Sequence, residues 1–307
     1  NLLAPKLLIV GLMIVSNILL VKELLKTRGL NSIHLVYLLC VPANILVIGM
    51  GVIYGLNDGL VAALMVFAVL SKRKGFSFFT GLLIALAGLL KFYPILMLPF
   101  FGLNKGLLDW KIIFSGAITF LIGFLISIII WGTGPISPIL FNTGRDPTLL
   151  SILLALKTTF GDQGLITILI NSNSYFVLIG VIITFIFAWK NKCSWLESVV
   201  IAYLVMLTVY KVGNQQFYIP FLFLVACLPL LKTSSADWMA KVLMIVAVFL
   251  SIYHFGYQFG SDRYRMELGW VRYYGGFASF TINTTALIAV ALRSKFISGT
   301  DYEQRYS

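Results

Sequence analysis

The sequence predicts an all-α protein threaded many times through a membrane. Composition, the lengths of the apolar runs and the placement of the cations each point that way. Hydrophobic residues make up 60% of the 307 and charged residues 11%, and the mean hydropathy is +0.97. With Tyr left out and Gly included, about 64% of the chain is apolar, against roughly 45–50% in a soluble domain that is also 25% charged. A soluble protein of this length cannot hide that much apolar surface. The same numbers exclude a disordered chain and a collagen-like or repetitive fibre. The solvent for most of this chain is lipid.

Helices come next. About twenty apolar residues, at ~1.5 Å each, cross a hydrocarbon core of ~30 Å. Apolar runs predict helices over residues 2–21, 33–54, 59–71, 76–90, 94–103, 112–131, 175–189, 196–210, 217–231, 239–257 and 277–292, with 164–170 ambiguous. They make about ten to eleven membrane segments, in a single integral membrane domain spanning 1–307 without an internal repeat. Two connections are long. In 132–174, Asp146-Pro147 reads as an N-cap followed by Pro at the first helical position, predicting a short surface helix near 147–160. In 257–276, Tyr, Trp, Gly and Arg suit the headgroup level.

The charges orient the chain. Net charge is +12, from 23 Lys+Arg against 11 Asp+Glu. With the N-terminus outside, the inner loops hold Lys22, Lys26, Arg28, Lys72, Arg73, Lys74, Lys105, Lys111, Lys190, Lys192, Lys232, Lys241, Arg293, Lys295 and Arg305, which is 15 of the 23 cations. Short basic clusters between apolar runs are the pattern of cytoplasmic loops, not of a nucleic-acid surface. The expected location is a multi-pass integral membrane protein, in the plasma membrane of a prokaryote or the endoplasmic reticulum membrane of a eukaryote. Cys40, Cys193 and Cys227 are scattered through apolar stretches, as packing residues are, and with only His34 and His254 no metal site is expected. The chain opens Asn-Leu-Leu-Ala-Pro inside an apolar run, which reads as a cut point with a segment missing upstream.

The chemistry is expected on the outer side. The legs of hairpin 59–90 have 13 and 15 residues, about 20 and 22 Å of helix, and Lys72-Arg73-Lys74 pins their inner turn. Neither leg reaches across a ~30 Å core, so Asp58 and Lys91 at their outer ends lie below the outer surface. Ionisable groups at that depth normally face a water-filled cavity. Pro94 and Pro99 break the chain just beyond, which is tolerated beside protein or a cavity. Hairpin 196–231 repeats the geometry, with the tip Lys211-Val-Gly213-Asn214-Gln215-Gln216-Phe-Tyr218. Three tips carrying Asp58, Lys91 and Lys211 are therefore expected to point into one outer cavity. Arg145, Arg263 and Arg265 are placed to close it from the loops. Cations grouped this way suit a phosphate or pyrophosphate on a lipid.

Three stretches carry a resemblance. Val41-Pro42-Ala43-Asn44 through Tyr54-Gly55-Leu56-Asn57-Asp58-Gly59-Leu60, Leu90-Lys91-Phe92-Tyr93-Pro94 with Leu98-Pro99, and Gly213-Asn214-Gln215-Gln216-Phe217-Tyr218-Ile219-Pro220 are similar to elements of the C-superfamily membrane glycosyltransferases. Those enzymes use polyprenyl-phosphate sugars, mannosyltransferases in particular, and the resemblance covers roughly residues 1–231. It implies inverting transfer of a hexose, with mannose the expected sugar, from a polyprenyl-phosphate donor to a glycan or glycolipid acceptor on the outer or lumenal face. A carboxylate acts as general base on the acceptor hydroxyl, while cations hold the departing phosphate. No cofactor is implied, in line with the lack of a Rossmann or P-loop glycine pattern. The family's catalytic aspartate lies in the first outer loop. On that resemblance the chain opens at the helix after that loop, which implies a base upstream of residue 1.

Each candidate has a competing structural reading. Asp58, beside Asn57, is read as a supporting acid at the sugar or acceptor and equally as a helix cap, and the two roles are compatible. Lys91 is read as a donor-phosphate ligand over a snorkelling lysine, since the short legs leave it little interface to reach. For Lys211 both readings stand. Arg145 is a phosphate candidate at a helix N-terminus, whereas Asp146 is read as a cap. Gln215, Gln216 and Tyr218 are read as sugar ligands or as ordinary outer-loop polarity. Arg263, Arg265 and Arg272 are read first as headgroup contacts, His254 as a buried hydrogen-bonded residue, and Asn283-Thr284-Thr285 as a chance glycosylation match. The rival function is a transporter or flippase of lipid-linked substrates. The absence of an inverted repeat and of a charged chain through the inner half of the membrane argues against it.

Overall fold

Helices account for nearly all of the structure. The computed structural model describes residues 3–29, 47, 57–136, 145–148, 150–161, 164–213, 215–264 and 269–293. The helix expected over 33–54, the motif residues 41–44 and 54–56, Asn214 and Arg265 lie outside the described residues.

In chain order the helices are α1 (Leu3–Arg28), α2 (Asn57–Arg73), α3 (Ser77–Leu90), α4 (Leu98–Gly102), α5 (Trp110–Trp131), α6 (Ile152–Phe160), α7 (Gly164–Asn171), α8 (Asn173–Lys190), α9 (Trp195–Val209), α10 (Tyr218–Cys227), α11 (Ser234–Tyr264) and α12 (Gly269–Arg293). Short 3-10 turns, Tyr93–Met97, Gln215–Phe217 and Leu228–Leu231, flank α4 and α10. A two-residue hairpin, Leu103–Asn104 with Leu107–Leu108, pairs Leu103 opposite Leu108. The protein is an all-α polytopic membrane protein: Lys6–Arg28, α5, α8 and Tyr274–Arg293 are each long and apolar enough to cross a membrane.

The helices fall into two populations. A helix that is apolar all round is either a protein core or a membrane span, and both kinds occur. On α5, Ile129 is 81% exposed, which lipid tolerates and water would not. Every residue of α10 is buried, and most of α9 is as well. These short helices, with α2 and α4, form the centre, around Phe100, Phe101, Tyr203, Phe221 and Phe223. α3 packs directly on α5, and glycine permits it. A Cβ on Gly81 would stand 2.1 Å from Ser115 Oγ and 2.3 Å from the Ile112 carbonyl. Small residues of this kind let two membrane helices bring their backbones together.

The loops assigned to the inner side by charge meet at one end of the bundle. Arg28 donates to the Pro229 carbonyl at 3.0 Å and to Asp237 at 3.0 Å. Arg73 donates to the Leu230 carbonyl. Lys72 donates to the carbonyls of Phe101 and Leu103 and stands 4.7 Å over the Trp195 ring. Trp189 donates to the Gly106 carbonyl at 2.6 Å, and Arg293 lies 4.7 Å from the Trp238 ring. Helix ends leave carbonyls without intrahelical donors. Several of these cations fill such vacancies at the ends of α4 and α10.

Some sequence expectations need correction. α1 runs on to Arg28, so Lys22, Lys26 and Arg28 lie on its last turns instead of in a loop. Favourable interaction of cations with a helix C-terminus accounts for the extension. α2 starts at Asn57, which makes Asp58 a helical residue. Asp146 caps no helix among the described residues. The helix after it begins at Ile152, capped by Ser151, whose Oγ accepts from the Leu153 N–H at 3.1 Å. Asp146 pairs instead with Lys157 at 3.2 Å while 82% exposed, a pair worth little. The expected outer segment 257–276 is largely helical, because α11 continues to Tyr264 and α12 starts at Gly269.

Candidate functional site

The end opposite the basic loops brings Asp58 and Lys91 together. Lys91 terminates α3 in an extended conformation, φ −151° and ψ 134°. Pro94, which disfavours helix in the residue before it, forces the chain into a separate turn. From there the Lys91 ammonium reaches Asp58 Oδ2 at 2.5 Å. Tyr93, in that turn, donates to Asp58 Oδ1 at 3.1 Å. Both carboxylate oxygens therefore have a donor.

The tip between α9 and α10 closes one side through Phe217. The Lys91 ammonium lies 5.3 Å from the Phe217 ring centroid, within cation–π range. Tyr93 meets Phe217 and Tyr203 edge-on, with centroids 5.3 and 5.6 Å away. Tyr203 donates to the Phe217 carbonyl at 3.0 Å, which locks that ring in place. The Asp58 side chain has no exposed surface, whereas that of Lys91 keeps 23%. Burying a carboxylate is costly unless it is paired and hydrogen-bonded, and here it is both. Of the pair, Lys91 is the member with open surface, and Asp58 holds its ammonium from the enclosed side.

Lys211 takes a different direction from the one expected. It is 1% exposed, and its ammonium donates to the Ile170 carbonyl near the end of α7 at 3.2 Å. Its backbone N–H donates to Asn173 Oδ1 at 2.7 Å, and Asn173 Nδ2 donates to the Val209 carbonyl at 2.8 Å. Burial pulls the Lys211 pKa down, and Asp146 partly opposes this. The three expected tips do converge as backbone, but from the third it is the Phe217 ring, and not the Lys211 ammonium, that meets Lys91.

The loop before α6 runs alongside this tip. Thr148 N–H donates to the Lys211 carbonyl at 3.0 Å and Leu150 N–H to the Gly213 carbonyl at 3.2 Å. A Cβ on Gly213 would fall 2.7 Å from the Leu150 carbonyl carbon, so the approach needs glycine there. Arg145 lies near Tyr210, whose hydroxyl pKa is raised by burial and drawn back by that guanidinium. With α6 starting at Ile152, Arg145 is not at a helix N-terminus and gains no helix-end support for an anion.

Of the expected sugar ligands, Asn57 is exposed at the start of α2 and Gln216 is half-buried in its turn. Gln215 belongs to the same turn. Tyr218 is 2% exposed, and its hydroxyl accepts from Asn283 Nδ2 at 2.8 Å. It faces α12, not an open surface. Asn283 is 1% exposed within α12, which leaves no room for a glycan. Arg263 belongs to the last turn of α11. Cys193 and Cys227 are buried free thiols. The sequence reading did not single out Tyr93 or Phe217, although both lie inside the stretches it quoted. An aromatic directly before Pro94 was the available signal.

Comparison with known proteins gives one match. Residues 3–139, a little under half of the chain, match the family model described as glycosyltransferase family 87. No curated protein and no solved structure matches the chain.

Proposed function

We propose that the protein is an inverting membrane glycosyltransferase that moves a hexose from a polyprenyl-phosphate donor to a glycan or glycolipid acceptor. Support comes from the match of residues 3–139 to a glycosyltransferase family, which contains both Asp58 and Lys91. The observation that carries the reading is a lysine paired with an enclosed carboxylate yet open on one side. A charge fixed in a low-dielectric site stabilises a departing phosphate far more than one in water. Mannose as the sugar follows the resemblance to polyprenyl-phosphate mannosyltransferases. The working side is the outer or lumenal face, opposite the basic loops.

In the reaction, an acceptor hydroxyl oxygen attacks the anomeric carbon from the face opposite the phosphate. The carbon–oxygen bond to phosphate breaks, and the lipid phosphate leaves with the electron pair. The hydroxyl proton goes to a general base. Asp58 is enclosed and has donors on both oxygens, so the base is a carboxylate outside this cluster. Lys91 holds the donor phosphate and takes up its growing charge.

The test is sugar transfer in membranes from radiolabelled polyprenyl-phosphate mannose and other polyprenyl-phosphate hexoses, with Lys91→Ala as the variant. Loss of transfer with normal insertion and folding supports the reading. Normal transfer by Lys91→Ala removes the phosphate clamp. Absence of transfer from every such donor, with intact protein, favours a transporter of lipid-linked substrates.

A further inference from the structure

At the basic end of the bundle lies a cleft of about 380 Å³ between α1 and α2, lined by Leu19, Lys22, Glu23 and Lys26 on one side and Phe67, Leu70, Ser71, Lys74 and Phe76 on the other. That volume is in the range of small-ligand sites, ~300–1,000 Å³. It lies at the end opposite Asp58 and Lys91 and is independent of the function proposed for them.

Its walls share one polarity. Along α1 the lining passes from Leu19 to Lys26, and along α2 and its following turn from Phe67 to Lys74. Both are steps of seven residues, about 10 Å of helix. Each wall therefore goes from apolar to cationic over a distance like that from acyl chain to headgroup. Leu19 is 40% exposed at the apolar end, and Phe76, two residues past Lys74, is 55% exposed beside the cationic turn.

The cations in the cleft differ from their neighbours. Arg28, Lys72 and Arg73 are engaged with carbonyls and carboxylates of other helices. Lys22, Lys26 and Lys74 line the cleft, and their ammonium groups enter no side-chain hydrogen bond or ion pair among the described residues. The one carboxylate in the lining, Glu23, is 3.8 Å from the Arg73 guanidinium, so an outside cation already answers it. The lining keeps an excess of positive charge above an apolar floor, while the Ser71 hydroxyl donates to the Phe76 carbonyl at 3.2 Å.

We infer that this cleft is a binding site for an anionic phospholipid of the inner leaflet. Lys22, Lys26 and Lys74 take the headgroup phosphate, and an acyl chain lies along Leu19 and Phe67. Charge complementarity selects an anionic lipid over a zwitterionic one, since cations near such a surface are each attracted to it.

Native mass spectrometry of the full-length protein in detergent tests the site, with phosphatidylglycerol and phosphatidylcholine of matched chains titrated separately. The wild type is expected to retain phosphatidylglycerol at least roughly tenfold better. The triple variant Lys22→Gln, Lys26→Gln, Lys74→Gln should lose that preference, while Lys105→Gln with Lys111→Gln should keep it. A photoreactive phosphatidylglycerol on the unmodified protein should label peptides containing 19–26 and 67–76, a readout that needs no variant. The inference is overturned by equal retention of the two lipids, by an unchanged preference in the triple variant, or by labelling elsewhere. Displacement of the lipid by millimolar inorganic phosphate also overturns it, since the site would then serve a free anion.

Discussion

Asp58 and Lys91 are 33 residues apart in sequence and 2.5 Å apart in space, and only Lys91 retains exposed surface. The asymmetry separates their roles. Removing the carboxylate leaves a largely buried ammonium without its counter-charge, and breaking a buried pair typically costs about 3–5 kcal/mol. Asp58→Asn should therefore be destabilised, and Asp58→Asn with Lys91→Met less so than the two single losses summed. Thermal unfolding of all four proteins in one detergent gives the coupling, expected above about 1 kcal/mol. Additive losses would mean that the pair is not a unit.

Tyr93→Phe keeps the ring between Tyr203 and Phe217 and deletes only the hydroxyl that donates to Asp58. The loss should be about 1.5–3 kcal/mol of stability, the cost of one hydrogen bond to a charged group. Transfer should fall less than in Lys91→Ala, because the cation stays in place. A donor titration comparing the two variants checks the ranking.

Lys72 and Lys74 test which basic residues hold the bundle together. Lys72→Met leaves the Phe101 and Leu103 carbonyls without their donor, whereas Lys74 is exposed. Lys72→Met should lower stability by about 2 kcal/mol more than Lys74→Met. Denaturation midpoints in a single detergent decide it, and equal midpoints would contradict the carbonyl-filling role.

Gly81→Ala should be strongly destabilising, because the added carbon would lie 2.1 Å from Ser115 Oγ and 2.3 Å from a carbonyl oxygen. Overpacking of this kind costs roughly 1–3 kcal/mol. Gly11→Ala is the control: nothing lies within 4 Å, so the change should be neutral or stabilising by up to about 1 kcal/mol. Melting temperatures of the two variants should move apart.

Lys211→Met should reduce stability while leaving the donor KM within about threefold, since the Lys211 ammonium serves the Ile170 carbonyl. A donor KM raised as much as in Lys91→Ala would return Lys211 to the phosphate site.

Particular elements show how much could be read in advance. Apolar runs located most helices within a few residues, and the basic clusters identified the loops that meet at one end, as the contacts of Arg28, Lys72, Arg73, Trp189 and Arg293 show. Asp58 and Lys91 stood out because ionisable groups at the ends of short apolar legs are costly. The cap at Asp146 failed because Asp-Pro is a local pattern. The backbone N–H groups of Thr148 and Leu150 are claimed instead by the carbonyls of Lys211 and Gly213, and the helix starts at Ile152.

Hydropathy and charge act on each segment through its solvent, so one sequence determined that the chain lives in lipid, which stretches are helical, and which end is basic. Side-chain direction is set by whichever helix packs alongside, and that partner is distant in sequence. Tertiary structure alone decided that Lys91 turns to Asp58, that Phe217 closes over them, that Lys211 turns away to Ile170 and that Tyr218 faces Asn283. A lysine at the end of a short leg has the same local environment in each case. Its nearest unsatisfied acceptor, a carboxylate for Lys91 and a helix-end carbonyl for Lys211, exists only once the helices have packed.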